Sequence, residues 1–456
     1  MSDSRASSLR FVLFASGVTA IGGFLFGYDT GVINGANFLF KQYWNLDSAG
    51  EGLATASAIL GCIPGAMFAG WLSDRFGRRR MLFLCAIVYA ASGVLSAVPR
   101  TFHEFLAARF LNGLGIGASS MICPVYIAEI APEKLRGRLG TLFQLAIVLG
   151  IFLALLANQW VRGWGAGDNV WNTTMGWRWM LGLEVLPAVV FLLLLFAVRE
   201  SPRWLAQQGR EAEAEEILRL AGGAEHAQRQ MVEIRASLEE EEGRFSELLS
   251  GPFRRPLVLA VILMAFSQFT GINAIIYYST PIFQSAWQGS DAEQAAFLAS
   301  AWVGAVNVLF TLVAIALVDR AGRRPLLIVG TAILEAAWVL AGLMSHVHHN
   351  FGLLLCIMGV VAAFGISLGP IGWLFCSEVF PNRVRGRAMS VAAMTVWITD
   401  FIVTQTFPMM RDGLGATATF GAYAVVSLFS FLFVLAMIPE TKGRTLEEIE
   451  HSWTRL

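Results

Sequence analysis

Apolar stretches about as long as a membrane is thick, separated by short polar turns, run from one end of the chain to the other. A helix needs about 20 largely apolar residues to cross the hydrocarbon core. That ruler predicts spans near 11–33, 53–73, 80–98, 103–127, 139–160 and 178–198, then near 256–284, 293–318, 325–346, 352–378, 388–410 and 415–438. Twelve spans make the chain an all-α membrane protein. Residues 199–255 break the pattern. They hold nine Arg and twelve Glu, too much charge for lipid. Short helices over 211–221 and 226–242 read either as a small folded cap or as a mere linker.

The chain repeats itself. Asp74-Arg75-Phe76-Gly77-Arg78-Arg79 returns as Asp319-Arg320-Ala321-Gly322-Arg323-Arg324. Glu129-Ile130-Ala131-Pro132 with Arg136-Gly137-Arg138 returns as Glu378-Val379-Phe380-Pro381 with Arg385-Gly386-Arg387. The offsets are 319 − 74 = 245 and 378 − 129 = 249. Two motifs recurring at nearly one offset predict two homologous six-helix halves, an architecture used by transporters that bind substrate between the halves. The expected organisation is a first half over 1–198, a helical linker over 199–255, a second half over 256–438 and a tail over 439–456.

Composition sharpens this reading. Hydrophobic residues make up 56% of the chain and charged ones 14%, which excludes an ordinary soluble domain. Net charge is zero and no basic tract is long enough for nucleic acid. Arginine clusters at 75–80, 136–138, 320–324 and 383–387, with Lys442–Arg444, fall on one side of the span list. The positive-inside rule puts that side, and both termini, in the cytoplasm. Cys62, Cys85, Cys123, Cys356 and Cys376 all lie inside predicted spans without ligand spacing, so no metal site or disulfide framework is expected. No catalytic constellation appears, and neither an enzyme activity nor a cofactor is expected.

Asp29 stands inside the first apolar run. A carboxylate at membrane depth is costly and marks a pathway or a proton relay. Arg109 in the fourth run is its expected partner. With Asp29 about four and Arg109 about six residues from the outer ends of their spans, both sit roughly 6–9 Å deep. A static salt bridge between helices is the alternative role. Amides near mid-span (Gln144, Gln268, Asn273 and Asn307) and the ring of Trp373 form a second candidate set, able to donate, accept and stack. Each amide could equally be interhelical glue.

These motifs, together with Arg199-Glu200-Ser201-Pro202-Arg203, Gln268-Phe269-Thr270-Gly271-Ile272-Asn273 and Pro439-Glu440-Thr441-Lys442-Gly443-Arg444, resemble the sugar porter family of the major facilitator superfamily. The resemblance covers nearly the whole chain and is nearest to bacterial sugar–proton symporters. It implies that Asp29 takes a proton, that Arg109 sets its affinity, and that Gln144, Gln268, Asn273, Asn307 and Trp373 contact a sugar. It further implies a cytoplasmic gate of Asp74, Arg78, Glu129, Arg136, Asp319, Arg323, Glu378 and Arg385. The bland alternative is that the arginines only set topology.

The chain departs from the family pattern at Ser267, Val396 and Asp400. Asp400 could bind hydroxyls, carry a second proton or pair with a donor. The expected function is import of a monosaccharide (hexose, pentose or polyol) with protons by a monomer in the bacterial cytoplasmic membrane. A passive uniporter and a non-transporting sugar sensor are the rivals.

Overall fold

The computed structural model describes residues 2–165, 168–239, 245–249, 253–287, 292–380 and 382–442, with backbone alone for 2–7, 133, 134, 136, 237, 239, 245, 246, 319, 382 and 383. Among these residues twelve helices are long and apolar enough to cross a membrane: Ser8–Trp44, Ser48–Phe76, Arg78–Ala97, Phe102–Ile130, Gly137–Trp164, Asn169–Ala197, Arg254–Ala286, Ala292–Val318, Arg323–His346, Asn350–Glu378, Val384–Leu414 and Ala416–Met437. They are the first to twelfth spans below. Between the sixth and seventh, Pro202–Gln207, Glu211–Gly222 and Ala224–Glu239 are short helices. The five cysteines are free.

The first helix outruns its predicted end at 33 by eleven residues (44 − 33). Asn34 and Asn37 interrupt the apolar pattern there, yet both are buried in protein. Asn37 donates to Thr55 Oγ1 at 2.9 Å, and Asn34 is bonded to the seventh span. Asp29 therefore lies fifteen residues (44 − 29), about 22 Å, from the helix end, much deeper than the four residues expected.

Glycines set two kinds of geometry. Gly77 and Gly322, at the same place in the repeated motif, turn the chain between spans with φ of 97° and 89°, a region costly for other residues. Elsewhere glycines let backbones touch. A Cβ on Gly27 would run into the Ile147 carbonyl, and one on Gly31 would lie 2.6 Å from the Ile151 carbonyl oxygen. Gly23, Gly27, Gly31 and Gly35, spaced four apart along the first span, thus form its packing seam against the fifth.

Three spans are discontinuous. In the sixth, Pro187 offers no N–H to Leu183, and the helix opens into a turn at Leu183–Glu184. The seventh breaks at Gly271, whose φ of 83° ends one helix and starts the next. Trp338 Nε1 donates to the freed Thr270 carbonyl at 2.8 Å. The tenth breaks at Ser367, three residues before Pro370.

By contacts the chain forms two compact units. One is Met1–Asp29, Gly61–Gly150 and Leu181–Glu241; the other is Thr30–Leu60, Ile151–Met180 and Glu242–Leu456. The first unit packs its third span along its fourth, and its second and fourth spans cross on Gly61, Gly65 and Gly117. The second unit is built on the ninth span, which packs against the tenth and twelfth. Leu186, Leu193 and Phe196 of the sixth span, like Leu340 and Leu343 of the ninth, are exposed, the surface a helix presents to lipid.

Candidate functional site

Four buried polar side chains meet in the first unit. Arg109 donates through Nη1 to Asp29 Oδ1 and through Nη2 to Oδ2 at 2.9 Å, a fork-to-fork pair. Asn112, one turn along the fourth span, donates through Nδ2 to Asp29 Oδ1 at 2.6 Å and lies 3.3 Å from both oxygens of Glu184. Asp29, Arg109, Asn112 and Glu184 are 3, 1, 0 and 1% exposed. Two carboxyl groups thus face one guanidinium, with an amide between them.

Glu184 is absent from the set read out of the sequence, although its signal is the one that singles out Asp29: an acid inside an apolar run. It reaches the cluster because the turn forced by Pro187 lies at Leu183–Glu184.

The sugar-directed set divides between the units. Gln144 is half-buried in the first. In the second, the break at Gly271 places Gln268 at the end of one helix and Asn273 in the first turn of the next. Asn273 Nδ2 donates to Gln268 Oε1 at 2.7 Å, and Gln268 Nε2 to Ser267 Oγ at 3.2 Å. Asp400 accepts from Thr404 Oγ1 at 3.1 Å and has Asn273 as its other polar neighbour. No cation pairs with it among the described residues. Its donors are therefore an amide and a hydroxyl. Gln144, Asn307 and Trp373 make no side-chain hydrogen bond to any described residue. Their polar groups are available to a ligand. Tyr278 is spent on structure: its hydroxyl donates to the Thr404 carbonyl at 2.8 Å, and its ring lies against Phe407.

The charged loops are near-copies of one another. In the first unit Arg78 pairs with Asp74 at 2.8 Å and Glu129 at 3.2 Å, and Ser201 Oγ donates to Glu129 at 2.5 Å. Glu200 accepts from the backbone N–H of Arg79 and Ser201. In the second unit Arg323 pairs with Glu378 at 2.8 Å and Thr441 Oγ1 donates to Glu378. Glu440 accepts from the N–H of Arg323, Arg324 and Lys442. Each of these bonds stays inside its own unit. Arg385 donates to the Phe380 carbonyl at 3.0 Å. The side chains of Arg136 and Asp319 lie outside the described residues.

At the opposite end of the spans the second unit carries a clasp invisible to motif reading. Glu51, 1% exposed, accepts from Lys41 at 2.6 Å and from Arg411 Nη2 at 2.9 Å. Arg162 pairs with Glu293 at 2.7 Å. Asn34 donates to the Ile276 carbonyl at 2.5 Å and accepts from Thr280 N at 2.9 Å. First, second and fifth spans are thereby tied to the seventh, eleventh and eighth.

Comparison with known proteins gives the family of the chain. A family model described as "Sugar (and other) transporter" matches residues 15–453. The arabinose-proton symporter of Bacillus subtilis is 39% identical over 455 residues, covering 99% of this chain and 97% of that one. The D-xylose-proton symporter of Escherichia coli is 37% identical, covering 96% and 94%. Among solved structures, a partially occluded inward open conformation of the xylose transporter XylE from E. coli superposes with a TM-score of 0.86 at 34% identity, over 96% of this chain and 100% of that one.

Proposed function

Since the chain belongs to the family of sugar (and other) transporters, twelve-span carriers and not enzymes, we propose that it imports a monosaccharide together with protons by alternating access. The observation that carries this reading is the cluster of Asp29, Glu184, Arg109 and Asn112. With both acids ionised, one negative charge is unmatched in a buried site, where neither charge is cheap. A proton on Asp29 removes that charge and loosens the grip of Arg109, which couples protonation to movement of the fourth span against the first. The relatives' names, arabinose-, xylose- and galactose-proton symporter, agree with the coupling and with a hexose or pentose as solute.

Gln144, Gln268, Asn273, Asn307, Trp373 and Asp400 are the proposed sugar contacts, the amides reading hydroxyls and the indole stacking on an apolar ring face. Broken helices at Gly271 and Ser367 suit this role, since substrate sites of carriers are built at such interruptions. The charged loops serve as the gate on the arginine-rich side, which the positive-inside rule makes cytoplasmic, with both termini there. The protein acts as a monomer in a bacterial cytoplasmic membrane.

Energetics fit this reading. One charge crossing 100 mV releases about 2.3 kcal/mol, enough for about a fiftyfold sugar gradient. The test is uptake of labelled arabinose, xylose, galactose and glucose into proteoliposomes with an imposed proton gradient. At least one sugar should accumulate above equilibrium and leak back when a protonophore is added. Equilibration to the same level with and without the gradient makes the protein a passive uniporter.

A further inference from the structure

Where the third and sixth spans end at their arginine-rich side, the short helices of the insert help to line an open-sided cavity of about 280 Å³. Its lining includes Arg79, Arg80, Arg199 and Arg210 against Glu200 and Glu213, a net charge of 4 − 2 = +2. The acids are already engaged. Glu213 is held by Arg210 through two hydrogen bonds of 2.7 Å. Glu200 accepts from the backbone N–H of Arg79 and Ser201, and burial raises its pKa despite those donors. Arg79 reaches the carbonyls of Leu195 and Phe196. The side chains of Arg80 and Arg199 bond to no described residue. Two exposed guanidiniums, neither bonded to a described residue, therefore line this cavity.

We propose that this cavity seats a phosphate ester anion, supplied by the headgroup of an anionic phospholipid. The phosphate is the chemistry two free guanidinium forks match. Its depth and surroundings favour a lipid as the source. Arg79 and Arg80 stand in the first turn of the third span, at the level where a membrane helix meets headgroups, and basic pockets there bind anionic lipids. Phe83 of the lining packs edge-on against Phe196 at 4.9 Å, and Phe196 is 68% exposed. From there Leu84, Ile87 and Leu193 continue an exposed apolar strip along the two spans, a track for acyl chains that a free phosphate cannot use. The seat also gives the insert a purpose beyond linkage, because Trp204, Leu205 and Ile217 belong to its lining.

The test is native mass spectrometry of the full chain, purified and titrated with phosphatidylglycerol or phosphatidylcholine. Wild type should retain phosphatidylglycerol preferentially. Arg80→Gln/Arg199→Gln should lose about thirtyfold in that affinity, from about 1 kcal/mol for each guanidinium, with its melting temperature unchanged because neither side chain bonds to the fold. A parallel arm adds millimolar inorganic phosphate or glycerol 3-phosphate. If these displace nothing, the occupant is a lipid. If they bind in an arginine-dependent way while phosphatidylglycerol does not, the phosphate chemistry stands and the lipid source is overturned. Equal retention of phosphatidylglycerol by wild type and double variant overturns the site altogether.

Discussion

Gln268 and Asn273 hold each other across a helix break, and one consequence is a site preset before any sugar arrives. An amide pair of this kind spares a ligand the ordering of two flexible side chains. Gln268→Ala removes one partner and frees the other. Sugar affinity measured by calorimetry should fall about tenfold, the worth of one or two net hydrogen bonds. Unchanged affinity would move the site elsewhere. Asp400 belongs to the same chain of polar groups but brings a carboxyl group with no cation paired to it among the described residues. Asp400→Asn keeps the shape but exchanges an acceptor oxygen for an N–H donor; sugar affinity measured in that variant should fall, and unchanged affinity would take Asp400 out of the site.

Among the elements, the seventh span depends on Gly271. Its positive φ bars a side chain, and a Cβ there would stand 2.7 Å from the Tyr423 ring. Gly271→Ala therefore costs about 1–2 kcal/mol in backbone strain before any clash. It should lower both melting temperature and sugar affinity; loss of neither would show that the break is not needed. The paired loops make an opposite pair of pH predictions. Burial raises the Glu200 carboxyl, whereas burial at Glu440 is outweighed by the backbone N–H groups that lower it. A raised carboxyl contributes stability below its unfolded pKa and loses it as pH rises through the folded one. A lowered carboxyl contributes above its unfolded pKa and loses it as pH falls. Relative to its glutamine variant, wild type should thus weaken with rising pH at Glu200, just above the ordinary glutamate range, and weaken with falling pH at Glu440, just below it. Melting curves recorded on both sides of the ordinary glutamate range check both signs, and parallel slopes would refute the assignment.

For the whole molecule, what the sequence reveals depends on whether a signal is local. Twelve apolar runs and a repeated loop are local, and they carry the fold. The Asp29–Arg109 pair is legible because charge inside an apolar run is rare, and Glu184 is legible by the same rule. The end of the first helix is not: Asn34 and Asn37 look like a boundary until the seventh span supplies a partner to the one and the second span to the other. Nor are the ties of Glu51 to Arg411 and Arg162 to Glu293, since run lengths say nothing about which helices become neighbours. The central claim is that protonation of Asp29 drives accumulation, and one variant tests it most directly. Asp29→Asn, reconstituted in proteoliposomes under an inward proton gradient, should equilibrate labelled sugar without concentrating it, while counterflow exchange of the same sugar continues. Accumulation at the wild-type level in that variant would contradict the account.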